Sequence, residues 1–305
     1  MRPTNELLEM PLLLLQGCEL FNPITKNTTG MQNQIRHLFS LCATAALLLI
    51  MSQSALAQEK KLVITGSSTV APLVAEIAKR FETLNPGIRI DVQTGGSSRG
   101  MNDARSGVAD IGMVSRALTK EESDLKSYLL ANDGLTVILH KSNPVPSLTR
   151  EQVIDIYTGK ITNWKNVGGK DQIITVVNKA EGRSTLELFL AFFKLNNRDI
   201  KAQVVIGDNQ QGVKTVVGNP GAIGYVSIGT AEFEAESGSP LKLLPLNGVA
   251  ATTANVRNGT FPLARPINIV TKNVPQGLNK RFIDFAQSAA VTDLVKEQYF
   301  VPPTR

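Results

Sequence analysis

One arrangement constrains the fold of this 305-residue chain more than any other. A short apolar run leads into a loop of glycine and hydroxyl residues, and a segment of helical periodicity follows. Lys61–Thr65 reads as a buried strand and runs into Gly66-Ser67-Ser68-Thr69. Val70, Leu73, Val74, Ile77, Ala78 and Phe81 then recur at helical spacing. Ile88–Val92 alternates as a strand and leads to Gly95-Gly96-Ser97-Ser98, which opens a short helix closed by Gly107. Ile173–Val177 leads through Gly182-Arg183-Ser184-Thr185 to a helix with Leu186, Phe189, Leu190 and Phe193 on one face. Further strands are expected at 109–114, 135–140, 220–226 and 267–270, with helices over 149–157 and 278–298. Units of this kind give an α/β fold with mainly parallel sheets.

The three loops share a chemistry. A helix N-terminus exposes unpaired N–H groups and the positive end of the helix dipole. Hydroxyls add donors, and glycine lets an anion approach the backbone. Capping is the ordinary task of Ser or Thr at such a place. Three such loops at the carboxyl ends of strands point instead to a ligand, because that edge is where α/β sheets bind one. No Gly-Lys-Ser/Thr follows any of them and Gly-x-Gly-x-x-Gly is absent, which argues against a nucleotide. The pattern suits a small anion held by neutral donors and one or two cations, to be drawn from Lys179, Arg183, Arg99 and Arg116.

Composition narrows the function classes. The chain is 42% hydrophobic and 19% charged, enough apolar content for a sizeable core. It has 2 Cys and 2 His, of which Cys18, His37 and Cys42 precede residue 58. The remainder keeps only His140, read as an ordinary strand-end residue. A Cys/His metal site, a disulfide framework and Cys-His catalysis are thereby excluded, and no cofactor is expected. A hydrolase would need a base or metal beside its serine, or a Gly-x-Ser-x-Gly elbow, and the sequence offers neither; the expectation is a protein that is not an enzyme. The net charge of +6 favours anionic ligands, without the basic-aromatic clusters of a nucleic-acid surface.

The N-terminal segment reads as a leader. From Met31, Arg36 precedes an apolar stretch over 38–51, and Ala55-Leu56-Ala57 supplies a small-residue cleavage site, so the mature chain is expected to start at Gln58 in the periplasm. The apolar stretch is too short to span a bilayer. Residues 1–30, with Glu6, Glu9 and Glu19, fit an over-extended start. Neither Cys18 nor Cys42 sits in a convincing lipoprotein signal.

Leu148-Thr149-Arg150-Glu151-Gln152-Val153-Ile154-Asp155-Ile156-Tyr157-Thr158-Gly159-Lys160-Ile161-Thr162-Asn163-Trp164 resembles a segment of the phosphate-binding substrate-capture proteins of ABC transporters. Gly66–Leu73, Ala109–Gly112 and Pro220–Tyr225 resemble that family too, and the likeness covers 61–305. It implies a two-lobed, type II periplasmic-binding-protein fold with two crossover strands, near 135–137 and 260–263. Lobe 1 would comprise 58–136 and 261–305, and lobe 2 would be 137–260. It also implies phosphate capture by a monomer that delivers to an inner-membrane permease and ATPase. Ligand contacts carry over to Ser68, Thr69, Ser97 with Ser98 beside it, Ser184 and Thr185.

Two departures stand out. Lys179 occupies the position of the family's ligand arginine, while Arg183 follows the glycine and is the favoured cation. Ser115-Arg116 stands where the well-known members carry an aspartate that accepts the proton of hydrogen phosphate. An acceptor carboxylate is the physical means of rejecting a fully ionised anion, so sulfate, molybdate and tungstate remain rival ligands. A sensing or adhesion module on the same fold is the remaining alternative.

Overall fold

In the computed structural model the described residues are 60–303; the expected leader and the expected cleavage site after Ala57 lie outside them. The chain alternates as the sequence predicts through β1 (Lys60–Gly66), α1 (Ala71–Leu84), β2 (Ile88–Thr94), α2 (Ser97–Ser106) and β3 (Ile111–Val114). There follow β4 (Lys126–His140), α3 (Arg150–Tyr157), β5 (Thr175–Lys179), α4 (Ser184–Phe193), β6 (Val204–Ile206), α5 (Asn209–Gly218) and β7 (Ala222–Ser227). The last elements are α6 (Ile228–Glu236), β8 (Leu241–Leu243), α7 (Thr253–Arg257), β9 (Ala264–Thr271), α8 (Gly277–Ala286) and α9 (Thr292–Glu297).

The strands join in the order β2-β1-β3-β9-β4-β7-β5-β6, with β8 also on β4. Pairings among β1, β2 and β3, and among β5, β6 and β7, are parallel. Those made by β4 and β9 with their neighbours are antiparallel, so the sheet is mixed.

β4 organises the molecule. From Lys126 to Gly134 it pairs with β9; from Leu135 onward it pairs with β7. The partner change divides the fold into two lobes, one built on β1, β2, β3 and β9 and the other on β5–β8. Each lobe has its own apolar core. Leu62, Ile64, Leu73, Ile77, Ile111, Ile267 and Phe282 pack together in the first. Leu135, Tyr157, Trp164, Phe189, Ile223 and Tyr225 do so in the second.

Local chemistry explains the elements that hold the loops. The apolar stripe of α1, Leu73, Val74, Ile77, Ala78 and Phe81, is buried, and Pro72 sits in its first turn where no N–H is required. Thr149 caps α3 through a reciprocal capping box with Gln152. Phe189 of α4 stacks on Tyr225 of β7 with centroids 4.0 Å apart. Trp164 is fully buried and donates from Nε1 to the Gly221 carbonyl at 2.9 Å. Asp110 accepts from the Val63 amide at 2.8 Å. His140 ends β4, with Nδ1 2.7 Å from the Ser142 hydroxyl.

Three expectations change. The strand expected at 135–140 begins at Lys126, because the ladder with β9 continues through Asn132 and Asp133, whose polarity hides it from pattern reading. The helix expected over 278–298 breaks after Ala286; the Ser288 hydroxyl accepts from Ala290 N and starts a separate turn. The strand expected over 173–177 is shifted to Thr175–Lys179, which carries Lys179 to the strand's end.

Candidate functional site

All three Gly/Ser/Thr loops join a strand to a helix: β1 to α1, β2 to α2 and β5 to α4. Their hydroxyls do not cap. Residues Val70, Gly96 and Arg183 occupy the cap positions of α1, α2 and α4, and none accepts a side-chain capping bond. The other long helices of the second lobe are capped conventionally, α3 by Thr149, α5 by Asp208 and α6 by Ser227. The helices that begin at the three loops therefore lack a side-chain cap, and some of their first donors go to backbone carbonyls, Ala71 N to Ser67 and Ser98 N to Gly182.

The hydroxyls are buried instead, and those of Ser67, Ser97 and Ser115 are hydrogen-bonded together, with Thr185 and Ser115 both reached by Arg265 Nη1. Ser67, Thr69, Ser97, Ser115, Ser184 and Thr185 are each at most 4% exposed. Ser67 Oγ donates to Ser115 Oγ at 3.0 Å and accepts from Thr69 N; Ser97 Oγ accepts from Ser115 N. The loops of the two lobes touch. Ser98 N donates to the Gly182 carbonyl at 3.2 Å, Ser98 Oγ donates to Glu187, and Asn209 Nδ2 donates to Thr69 Oγ1 at 3.1 Å.

Gly96 sits at this contact with φ +100°, and a Cβ there would lie 2.5 Å from the Gly182 carbonyl oxygen. Backbone strain of this kind costs about 1–3 kcal/mol, and the obstructing atom is itself backbone. Gly96→Ala is expected to hold the loops apart and weaken ligand binding about 5- to 150-fold, read by titration calorimetry.

Among the described residues, three buried side-chain polar atoms have no hydrogen-bond partner: Thr65 Oγ1, Arg183 Nε and Ser184 Oγ. Two of them lie side by side in the third loop. A buried unpaired donor costs about 1–3 kcal/mol, so a pair of them in one loop marks a place built to meet an acceptor.

The cations sort themselves clearly. Arg99 is spent on Asp103, the Thr94 carbonyl and Gln93. Arg116 is spent on Glu122, Glu187 and the Ala117 carbonyl; its hydrogen bonds, chiefly those it donates to Glu122, raise its pKa and lower that of Glu122. The expectation that either meets the ligand gives way to this: their donors go to carboxylates and carbonyls. The Arg116–Glu187 pair joins the lobes instead.

Lys179 is 3% exposed and donates to the Asp208 carbonyl and to Asn209 Oδ1. Burial lowers its pKa to about 7, Asp208 opposes that fall, and the charges of Arg265 and Arg183 add to it. Arg183 and Arg265 thus lie close enough to Lys179 to act on it, and Arg265 Nη1 reaches the hydroxyls of Thr185 and Ser115. Tyr225 places Lys179: its hydroxyl donates to Asn178 Oδ1 at 2.6 Å and accepts from Lys179 N.

Residues 52–290 match the PBP superfamily domain. The phosphate-binding protein PstS of Bacillus subtilis (strain 168) is 32% identical over 262 residues, covering 83% of this chain and 85% of the relative. The chain belongs to the phosphate-binding protein family of the PBP superfamily. PstS of Borreliella burgdorferi is 30% identical over 80% of this chain and 90% of its own. Two solved structures show the same architecture. One, from Clostridium perfringens with bound phosphate, is described as a candidate phosphate ABC transporter substrate-binding protein; it has a TM-score of 0.74 and 34% identity, and covers 80% of this chain and 100% of that one. The other, an ABC-type phosphate transport receptor from Vibrio cholerae, has a TM-score of 0.66 and 34% identity, and covers 79% of this chain and 100% of that one.

Within this family member, three residues of the candidate site escape sequence reasoning. Ser67 looks like the first of two equivalent serines, yet it is buried in the network while Ser68 is half-buried at the edge of a cleft with Pro72, Asp208 and Thr230. Asn209 opens a helix concealed by Gly-rich, weakly periodic sequence. Arg265 follows a proline-flanked stretch with no motif; only the strand register brings it to the cluster, where Nη1 lies 3.2 Å from Thr185 Oγ1.

Proposed function

We propose that the protein captures inorganic phosphate in the periplasm, as a monomer without catalysis, and delivers it to an inner-membrane ABC permease and its ATPase. The single observation that carries this reading is the pair of buried, unpartnered donors, Arg183 Nε and Ser184 Oγ, at the head of α4, in the loop that the second Gly/Ser loop touches at Gly96 and Ser98. A tetrahedral oxyanion supplies acceptors to both at once. Ser68, Thr69, Ser97, Ser98, Ser184 and Thr185 are the proposed ligand donors, with Arg183 as cation ahead of Lys179. The proposed lobes are 58–136 with 261–305, and 137–260; the partner change of β4 supports a hinge within a few residues of these limits. Export is proposed to follow cleavage before Gln58. No helix among the described residues is long and apolar enough to cross a membrane.

One observation favours a broader anion choice. Both Asp133 oxygens already accept from Arg265 and Gly229 N, and Ser115 stands at the end of β3. Direct calorimetric titration with phosphate, sulfate and molybdate decides. Phosphate is expected to bind tightest, and sulfate binding as tightly or tighter overturns the ranking. A hydrogen bond to a charged group is worth about 1.5–3 kcal/mol, so Arg183→Ala should weaken phosphate binding about 10- to 150-fold and Lys179→Ala less.

A further inference from the structure

We infer that Arg265, on the second crossover strand, is a ligand-binding residue: its guanidinium meets the bound oxyanion from the hinge, while Asp133 on the first crossover strand holds it in place. The inference rests on the oxyanion reading above. Asp133 and Arg265 are directly opposite in the β4–β9 ladder, two residues before Leu135, where β4 changes partner, and both side chains are 0% exposed. Nε and Nη2 donate to Asp133 Oδ2 at 3.1 and 2.8 Å. Asp133 Oδ1 in turn accepts from Gly229 N at the start of α6.

Two of the three guanidinium nitrogens are thus committed to the carboxylate. The third, Nη1, faces the hydroxyl cluster; its contact with Thr185 Oγ1, 3.2 Å, sits at the upper end of the ordinary range, and those with the Ser115 carbonyl and Ser115 Oγ, 3.4 and 3.5 Å, lie beyond it. Ordinary N–H···O bonds are 2.7–3.2 Å, and those to anions shorter. A fully buried charged nitrogen with two protons and only such partners is left with donor capacity for a stronger acceptor. Ser115 belongs to the first lobe and Thr185 to the second, so an anion bound at Nη1 touches hinge and both lobes together. Arg183 grips from the third loop, and Arg265 from behind.

A purely structural buried ion pair has a different signature. Replacing both partners of such a pair with apolar residues of similar volume is often neutral or stabilising, whereas removing one leaves a buried charge unpaired. The test therefore uses the double variant Asp133→Leu/Arg265→Met beside the parent and Arg265→Lys, with melting followed for each and phosphate, sulfate and molybdate titrated by calorimetry. The double variant is expected to melt cooperatively near the parent and to bind phosphate on the order of 100-fold more weakly. Arg265→Lys, which keeps the charge but not the fork, is expected in between. A folded double variant that binds within threefold of the parent overturns the assignment and leaves the oxyanion reading standing. A parent that binds none of the three anions overturns both.

Should the double variant not fold, the parent alone decides through the ¹⁵N-labelled arginine side-chain spectrum. The Arg265 resonances are expected to move on saturation with phosphate and not with chloride. Unmoved Arg265 resonances at saturation overturn the assignment.

Discussion

Phosphate at a thousandfold excess over its Kd is expected to stabilise the protein by about 4 kcal/mol, because a ligand confined to the native state contributes RT ln(1 + [L]/Kd). For a domain of this size 1 kcal/mol shifts the melting temperature by about 2–4 °C, so scanning calorimetry should show a rise of about 8–16 °C. The structural reason is that the proposed donors come from both lobes, buried Ser97 and Ser115 from the first and Arg183 with buried Ser184 and Thr185 from the second. An anion among them ties together two cores that otherwise share the β4–β9 crossing and a few contacts between loops. Chloride at the same ionic strength should leave the melt unchanged. A phosphate melt identical to the chloride melt contradicts the account.

The second large effect is a pH dependence of stability from Lys179. Its amine is buried and its pKa falls from 10.5 to about 7, with desolvation the main cause. Between those values the unfolded chain holds the proton and the native protein has released it. Stability contributed by this group therefore rises with pH from about 7 toward 10.5, and is flat below 7 where both states are protonated. The slope approaches about 1.4 kcal/mol per pH unit in the middle of the window. Denaturant unfolding of the parent and of Lys179→Met across pH 6–10 measures it: the difference between the two should change in the parent's favour as pH rises. Bound anion opposes loss of the proton, so saturating phosphate should move the onset upward from 7. A parent-minus-variant difference that is constant with pH would refute the assignment of Lys179 as a buried, neutralised amine.

Much of the site was legible because its chemistry is local. Glycine and hydroxyl residues between an apolar run and a helical run can be recognised wherever they stand, and all three such loops fall at strand ends. The difficulty lay in deciding between capping and ligand binding, a matter of where hydroxyls point; that α1, α2 and α4 have no side-chain caps is visible only in three dimensions. Arg116 and Arg99 could not be told from free cations in sequence, since Glu122, Glu187 and Asp103 claim them through folding. Arg265 was out of reach for the opposite reason. Its partner Asp133 is 132 residues away, and a register that places them opposite leaves no trace in either segment alone. The same non-locality hid the first half of β4, whose strand character comes from β9 rather than from its own residues.

The most direct test of the central claim is a crystal structure of the phosphate complex. The account predicts an anion within hydrogen-bond distance of Arg183 Nε and Ser184 Oγ, enclosed by Ser97, Ser115 and Thr185. Phosphate bound outside this cluster, for instance in the open cleft between Pro72 and Thr230, with Arg183 Nε and Ser184 Oγ still unpartnered, would contradict it.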